Sequence, residues 1–123
     1  MQILLRLVIV AWLAIGSAYA FSFGRDAAVD TVSAANLPTE AQRTLALIKA
    51  GGPFPYERDG IVFGNFEKRL PIQARGYYRE YTVKTPWRKD RGPLRIVAGQ
   101  RDEYFYTEDH YRTFRRIVEQ DPR

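Results

Sequence analysis

Residues 37–52 read LPTEAQRTLALIKAGG, and the text after Gly52 follows a different period. Pro38 suits a first helical turn, where a missing N–H leaves nothing unpaired. Glu40 favours the positive end of a helix, and Gly51-Gly52 supplies a stop. Ala41, Leu45 and Ile48 recur at i, i+4 and i+7, so one apolar face is expected, with Gln42, Arg43 and Lys49 turned largely away from it. Beyond Gly52 come short β-prone runs broken by glycine and proline: GIVFGNF (60–66), GYYREYTV (76–83), PLRIVAG (93–99), EYFYT (103–107) and YRTFRRIV (111–118). One helix followed by several strands predicts an α+β domain, a main N-terminal helix packed on an antiparallel sheet.

The period of two sorts the strand residues. Within 76–83, Tyr77, Tyr81 and Val83 share one face and Tyr78, Glu80 and Thr82 the other; the first is read as the core face, which turns Glu80 toward solvent. Within 93–99, Leu94, Ile96 and Ala98 alternate with Arg95 and Val97, so Arg95 shares the non-core face with Glu80 if the two strands pair.

N-terminal to the helix, residues 1–20 read MQILLRLVIVAWLAIGSAYA, with one early cation (Arg6), an apolar run from Leu7 to Ile15 and an A-x-A ending. This is the pattern of a secretory signal peptide; a spanning anchor needs about 20 apolar residues, and the run is shorter. Residues 21–36, FSFGRDAAVDTVSAAN, are small and polar with no sustained period and read as a loosely ordered arm, leaving 37–123 as one small domain. Its export would be to the periplasm or beyond, with no membrane attachment once the leader is removed. There is no cysteine, so packing alone must hold the fold, and with one histidine in 123 residues no nitrogen and sulfur set for zinc exists. Neither a calcium loop nor a phosphate-cradling nucleotide loop is spelled out.

The whole chain has 19 basic and 14 acidic residues, a formal net charge of +5, and removing Arg6 with the leader leaves +4. That balance favours an anionic partner. Aromatic rings interleave with arginine in GYYREY (76–81), TPWRKDRG (85–92) and DHYRTF (109–114), an arrangement suited to unpaired bases and phosphates and equally to a half-buried sheet. Four polar residues stand out: Glu80, Arg91, Arg95 and His110. A carboxylate, an imidazole and two guanidiniums suit phosphodiester cleavage, which needs a base for the 2′-hydroxyl proton, an acid for the departing oxygen and cations for the charge on phosphorus. Imidazole, titrating near about pH 6.5, both holds and releases a proton in the neutral range. Each residue taken alone has a bland alternative as a solvated or cross-strand-paired side chain.

From Leu37 to about Ile117 the chain resembles the bacterial guanyl-specific ribonucleases, the barnase-like microbial ribonucleases, and most of all their short branch. The matching text is LPTEAQRTLALIKAGGPFPYERDGIVFGNFEKRLP (37–71), GYYREYTVKTP (76–86) and RGPLRIVAGQRDEYFYTEDHYRTF (91–114). The resemblance implies a metal-independent endoribonuclease of the microbial ribonuclease fold, cleaving single-stranded RNA without cofactor. It implies Glu80 as general base, His110 as general acid, Arg91 and Arg95 as the phosphate clamp, and Tyr111 lining the same site. The guanine loop would be Phe63, Gly64, Asn65, Phe66 and Glu67. Glu67 is the expected reader of guanine's N1–H and N2–H edge, and Asn65 the residue that shapes the loop, since asparagine tolerates left-handed backbone. A monomer and an acidic inhibitor protein of the barstar type are further expectations. The chain departs from close relatives in lacking their cysteine pair, in Gly64 and Phe66, where longer polar side chains are more usual, and in Trp87, read as covering the sheet edge rather than stacking beside the phosphate.

Overall fold

The computed structural model describes residues 29–119; the leader over 1–20 and the beginning of the 21–36 arm lie outside the described residues. In chain order the elements are β1 (Asp30–Ser33), a 3-10 turn over Ala34–Asn36, α1 (Thr39–Ala50), β2 (Ile61–Val62), β3 (Arg79–Thr82), β4 (Arg95–Ala98), β5 (Tyr104–Thr107) and β6 (Arg115–Val118). Helix α1 follows Pro38 directly and closes where the Gly52 N–H returns to the Leu47 carbonyl at 2.9 Å, as a glycine pair at a helix end allows.

The strands form one six-stranded sheet in the order β1-β6-β5-β4-β3-β2. Neighbours from β2 to β6 run antiparallel, whereas β1 pairs parallel with β6, from Asp30 opposite Arg115 to Ser33 opposite Val118. The sheet is therefore mixed rather than wholly antiparallel, and the end of the expected loose arm is ordered. The stretch DTVS contains a single apolar residue, too short a run for alternation to mark, and its backbone partner lies at the far end of the chain.

Helix α1 lies on one face of the sheet. Ala41 and Leu45 pack with Leu37, Val83, Ile96, Tyr104, Tyr106 and Ile117, and Ile48 borders that cluster, so the helical face read from the i, i+4, i+7 pattern is the one that is buried. The opposite face is not simply solvated. Leu70, Tyr78, Val97, Phe105 and Phe114 form a second core there, with Tyr78 only 3 % exposed. This corrects the assignment of Tyr78 to an outer face: the chain between β2 and β3 brings Leu70 onto the sheet, and the segment after β5 brings Phe114. Both faces are covered, and only the ground between these flaps stays open.

Candidate active site

Register places the polar residues. Glu80 of β3 faces Val97 of β4, which faces Phe105 of β5; the next row is Thr82, Arg95 and Thr107. Partners directly across an antiparallel pair point to the same face, so the Glu80 carboxylate and the Arg95 guanidinium share the surface opposite α1 as diagonal neighbours. Arg95 is buried, 3 % exposed, rather than lying on a solvated face. Its Nη1 donates to the carbonyls of Gly92 (2.7 Å) and Leu94 (2.8 Å), while its Nε meets no acceptor among the described residues. Arg91 approaches from the turn before β4 and donates through Nε and Nη2 to Thr82 Oγ1 at 3.2 and 2.7 Å. Two guanidiniums are thus fixed by neutral acceptors, and their charges are left for an anion.

Tyr111 joins the parts. Its hydroxyl donates to Glu80 Oε1 at 2.6 Å, its ring lies 5.9 Å from the Arg95 guanidinium carbon, and the His110 ring meets it edge-on at 4.7 Å between centroids. Burial, reinforced by the hydrogen bond and the negative charge of Glu80, pushes the Tyr111 phenol up to about 12. It remains a proton donor to the carboxylate throughout the neutral range.

His110 itself is exposed and sits in left-handed backbone, φ +57°, followed by Tyr111 at φ +74°. Two successive non-glycine residues in that region need outside support. The His110 N–H donates to Pro93 O at 3.2 Å and the Tyr111 N–H to Thr107 Oγ1 at 3.1 Å. Asp109 ties the remainder: it accepts from Thr107 Oγ1 (2.9 Å), from the Thr113 N–H (2.9 Å) and from Thr113 Oγ1 (2.6 Å). Partial burial acts to raise its carboxyl, but the bonds from Thr113 and Thr107 prevail and hold it down at about 2. Thr82, Thr107 and Asp109, which hold the site, carry no catalytic signature of their own in the sequence. The spacing T-x-D-x-x-x-T over 107–113 is the one signal that marked the knot, as a carboxylate satisfying backbone donors around a turn.

A cleft of about 320 Å³ adjoins Tyr111. All of Phe63, Gly64, Asn65, Phe66, Glu67 and Tyr111 line it together with Glu80; His110, Arg91 and Arg95 stand outside its walls, with His110 and Arg95 against the Tyr111 ring. Phe63 stacks on the Tyr111 ring at 5.3 Å and 24°. Asn65 adopts φ +53°, and its side chain clamps Leu70 by donating to the carbonyl (3.0 Å) and accepting from the N–H (3.1 Å). The loop-shaping role expected of asparagine is therefore carried by both its backbone and its amide. Phe66 is 83 % exposed and folds its ring over Gly64, where a Cβ would come within 2.5 Å of two ring carbons. Glycine at 64 and phenylalanine at 66 are in this way one feature. Glu67 stands exposed at the rim, with Arg69 Nη2 at 3.3 Å from its Oε2. Trp87 does not cover the sheet edge; it is 81 % exposed.

The arrangement offers a carboxylate oriented by a phenol, an exposed imidazole, two cations and a base-sized cleft. Known proteins share the sequence that builds it. The family described as ribonuclease matches residues 23–118. The guanyl-specific ribonuclease St of Saccharopolyspora erythraea is 55 % identical over 95 residues, spanning 77 % of this chain and 94 % of that protein. The guanyl-specific ribonuclease Sa of Kitasatospora aureofaciens is 54 % identical over 85 residues, 68 % of this chain and 88 % of that one. Among solved structures, ribonuclease Sa2 with guanosine-2′-cyclophosphate superposes with a TM-score of 0.73 at 49 % identity, covering 76 % of this chain and all of that one.

Proposed function

Since the chain belongs to the family of guanyl-specific microbial ribonucleases, we propose a division of labour among its clustered side chains. The protein is a guanyl-preferring endoribonuclease. In the first step the 2′-oxygen of the guanosine bonds to phosphorus while the bond from phosphorus to the 5′-oxygen of the next nucleoside breaks. Glu80 takes the 2′-hydroxyl proton, and His110 gives a proton to the departing oxygen. The product is a 2′,3′-cyclic phosphate. In the second step His110 takes a proton from water, which attacks phosphorus, and Glu80 returns its proton to the 2′-oxygen, leaving a 3′-phosphate. Arg91 and Arg95 hold the non-bridging oxygens, where negative charge gathers.

The observation that carries this reading is the convergence on Tyr111 of the Glu80 carboxylate, the His110 ring and the Arg95 guanidinium. A tyrosine hydroxyl committed to one carboxylate oxygen leaves the other to accept a proton. Guanine fits the adjoining cleft because its N1–H and N2–H edge matches the Glu67 carboxylate, provided Arg69 shares or yields it, whereas adenine would set a lone pair against that charge. The same reading takes single-stranded RNA as the substrate, the chain as exported after leader cleavage and acting as a monomer, and an acidic barstar-type inhibitor as the partner that would occlude a basic cleft.

The test is cleavage of single-stranded RNA in EDTA with end-group analysis of the products. Guanosine 2′,3′-cyclic phosphate ends are expected, with Glu80→Ala and His110→Ala each lowering kcat by about 10²- to 10⁴-fold. Full activity in either variant, or products ending in all four bases equally, would reject the assignment.

A further inference from the structure

The turn that leads into β2 carries a cation that neither the fold nor the reaction described above uses. Arg58 is exposed, and it lines the cleft of about 320 Å³ together with Ile61, Glu80 and the loop from Phe63 to Glu67. Asp59 pins this turn to the sheet: its Oδ1 accepts from the Thr82 N–H at 2.7 Å and its Oδ2 from the Tyr56 N–H at 3.3 Å, while the Arg58 carbonyl accepts from the Ile61 N–H at 3.3 Å. The Asp59 carboxylate is thus engaged by backbone donors, and no carboxylate forms an ion pair with Arg58 among the described residues. The other guanidinium on the cleft wall, Arg69, is paired with Glu67.

Sheet order fixes the place of Arg58 relative to the reacting atoms. Strand β3 lies between β4, which carries Arg95, and β2, whose Ile61 faces Glu80. Arg58, three residues before Ile61, therefore stands on the β2 flank of Glu80. Arg95 stands on the β4 flank, as does His110, whose N–H is bonded to Pro93 O just before that strand. Arg79, next to Glu80 in β3, is turned to the opposite face by strand alternation and donates to Gly60 O at 2.8 Å. A guanosine within an RNA strand carries two phosphates, on its 3′ and 5′ oxygens, and the sugar directs them apart. With the base in the loop, the 2′-oxygen at Glu80 and the 3′-phosphate toward Arg91, Arg95 and His110, the 5′-oxygen is left to the β2 flank, where Arg58 is the cation without a partner.

We propose that Arg58 is a subsite for the phosphate on the 5′ side of the guanosine, so that the protein grips two consecutive phosphates of the strand and cuts at the second. The inference rests on the ribonuclease reading given above. A guanidinium offers phosphate oxygens two parallel donors and keeps its charge at any working pH. Because this phosphate takes no part in the reaction, the contact is equally strong before and during bond exchange, and it acts on KM rather than on kcat.

Two substrates that differ in one phosphate test the subsite: guanylyl-(3′→5′)-adenosine with a free 5′-hydroxyl, and the same dinucleotide phosphorylated at that position. At low salt the wild type is expected to favour the phosphorylated form about fivefold in kcat/KM, the scale of one exposed charge contact, and to do so through KM. Arg58→Ala is expected to abolish the preference by lowering activity on the phosphorylated substrate alone, and Arg58→Lys to keep part of it. No preference in the wild type, or a preference that survives Arg58→Ala, would overturn the subsite. So would equal losses on both substrates, the result of a guanidinium that acts only on Glu80 or on the cleaved phosphate. Wild-type protein inert toward both would overturn the ribonuclease reading itself, a failure visible before any substitution is made.

Discussion

Tyr111 shows how one side chain sets the chemistry of its neighbours. With its phenol pushed up to about 12 by burial and by Glu80, it stays a donor over the working range, orienting the carboxylate without competing for protons. Tyr111→Phe keeps the ring against Phe63 and removes only that bond; steady-state kinetics should show kcat lower by roughly tenfold, with KM nearly unchanged. Asn65→Ala removes both bonds to Leu70, whose side chain is fully buried, and leaves alanine at φ +53°. Denaturant unfolding should report a loss of about 2 kcal/mol, and KM for guanylyl substrates should rise more than kcat falls. The residues proposed for catalysis, Glu80, Arg91, Arg95 and His110, were readable because they stand in text shared with a known family. Their holders were not. Thr82 beneath Arg91 and Leu70 against Asn65 are ordinary residues, and only the folded chain shows which polar atoms they satisfy.

The loop from Glu108 to Thr113 presents His110 and Tyr111, and Asp109 is what keeps it in an otherwise unfavourable conformation. Its carboxyl lies at about 2 when folded against an ordinary 3.8. The unfolded chain therefore binds the proton more tightly, and Asp109 contributes stability that is complete above about pH 4 and is lost as pH falls through about 2. Thermal unfolding of wild type and Asp109→Asn across that range should show a gap that is widest near neutrality and closes in acid. Strand β2 is another element completed by a side chain. It spans only Ile61–Val62, but the Gly60 N–H donates to Glu80 O at 2.8 Å and Asp59 Oδ1 accepts from the Thr82 N–H at 2.7 Å, which extends the ladder beside the Glu80 carboxylate. Asp59→Ala should cost about 1–3 kcal/mol in denaturant unfolding, because it strands a buried backbone donor. At this scale the helix and the runs that hold β2 to β6 were readable from period and punctuation. β1 was not, because a parallel partner at the opposite end of the chain leaves no local pattern, and the second core was missed because its lid comes from irregular segments rather than from an element.

Across the whole molecule, the sheet is a wall between two jobs: α1 and its cluster stabilise one face, while the other carries a smaller core and the reaction site. In the proposed reading the net charge of +4 left after leader removal favours approach of RNA, and Arg91 and Arg95 hold its phosphates. With Arg91 and Arg95 meeting phosphates, the logarithm of affinity for a single strand bearing 2′-deoxyguanosine, which cannot react, should fall with the logarithm of salt concentration at a slope of roughly −1.4. Fluorescence titration at several salt concentrations would check it, and a slope near zero would mean that phosphates are not what the site holds. The most direct measurement is a crystal structure of the protein with guanosine 3′-monophosphate. The prediction is a phosphate between Glu80 and His110, bonded by Arg91 and Arg95, and a guanine edge on Glu67; a nucleotide bound with its phosphate remote from Glu80 and His110 would contradict it.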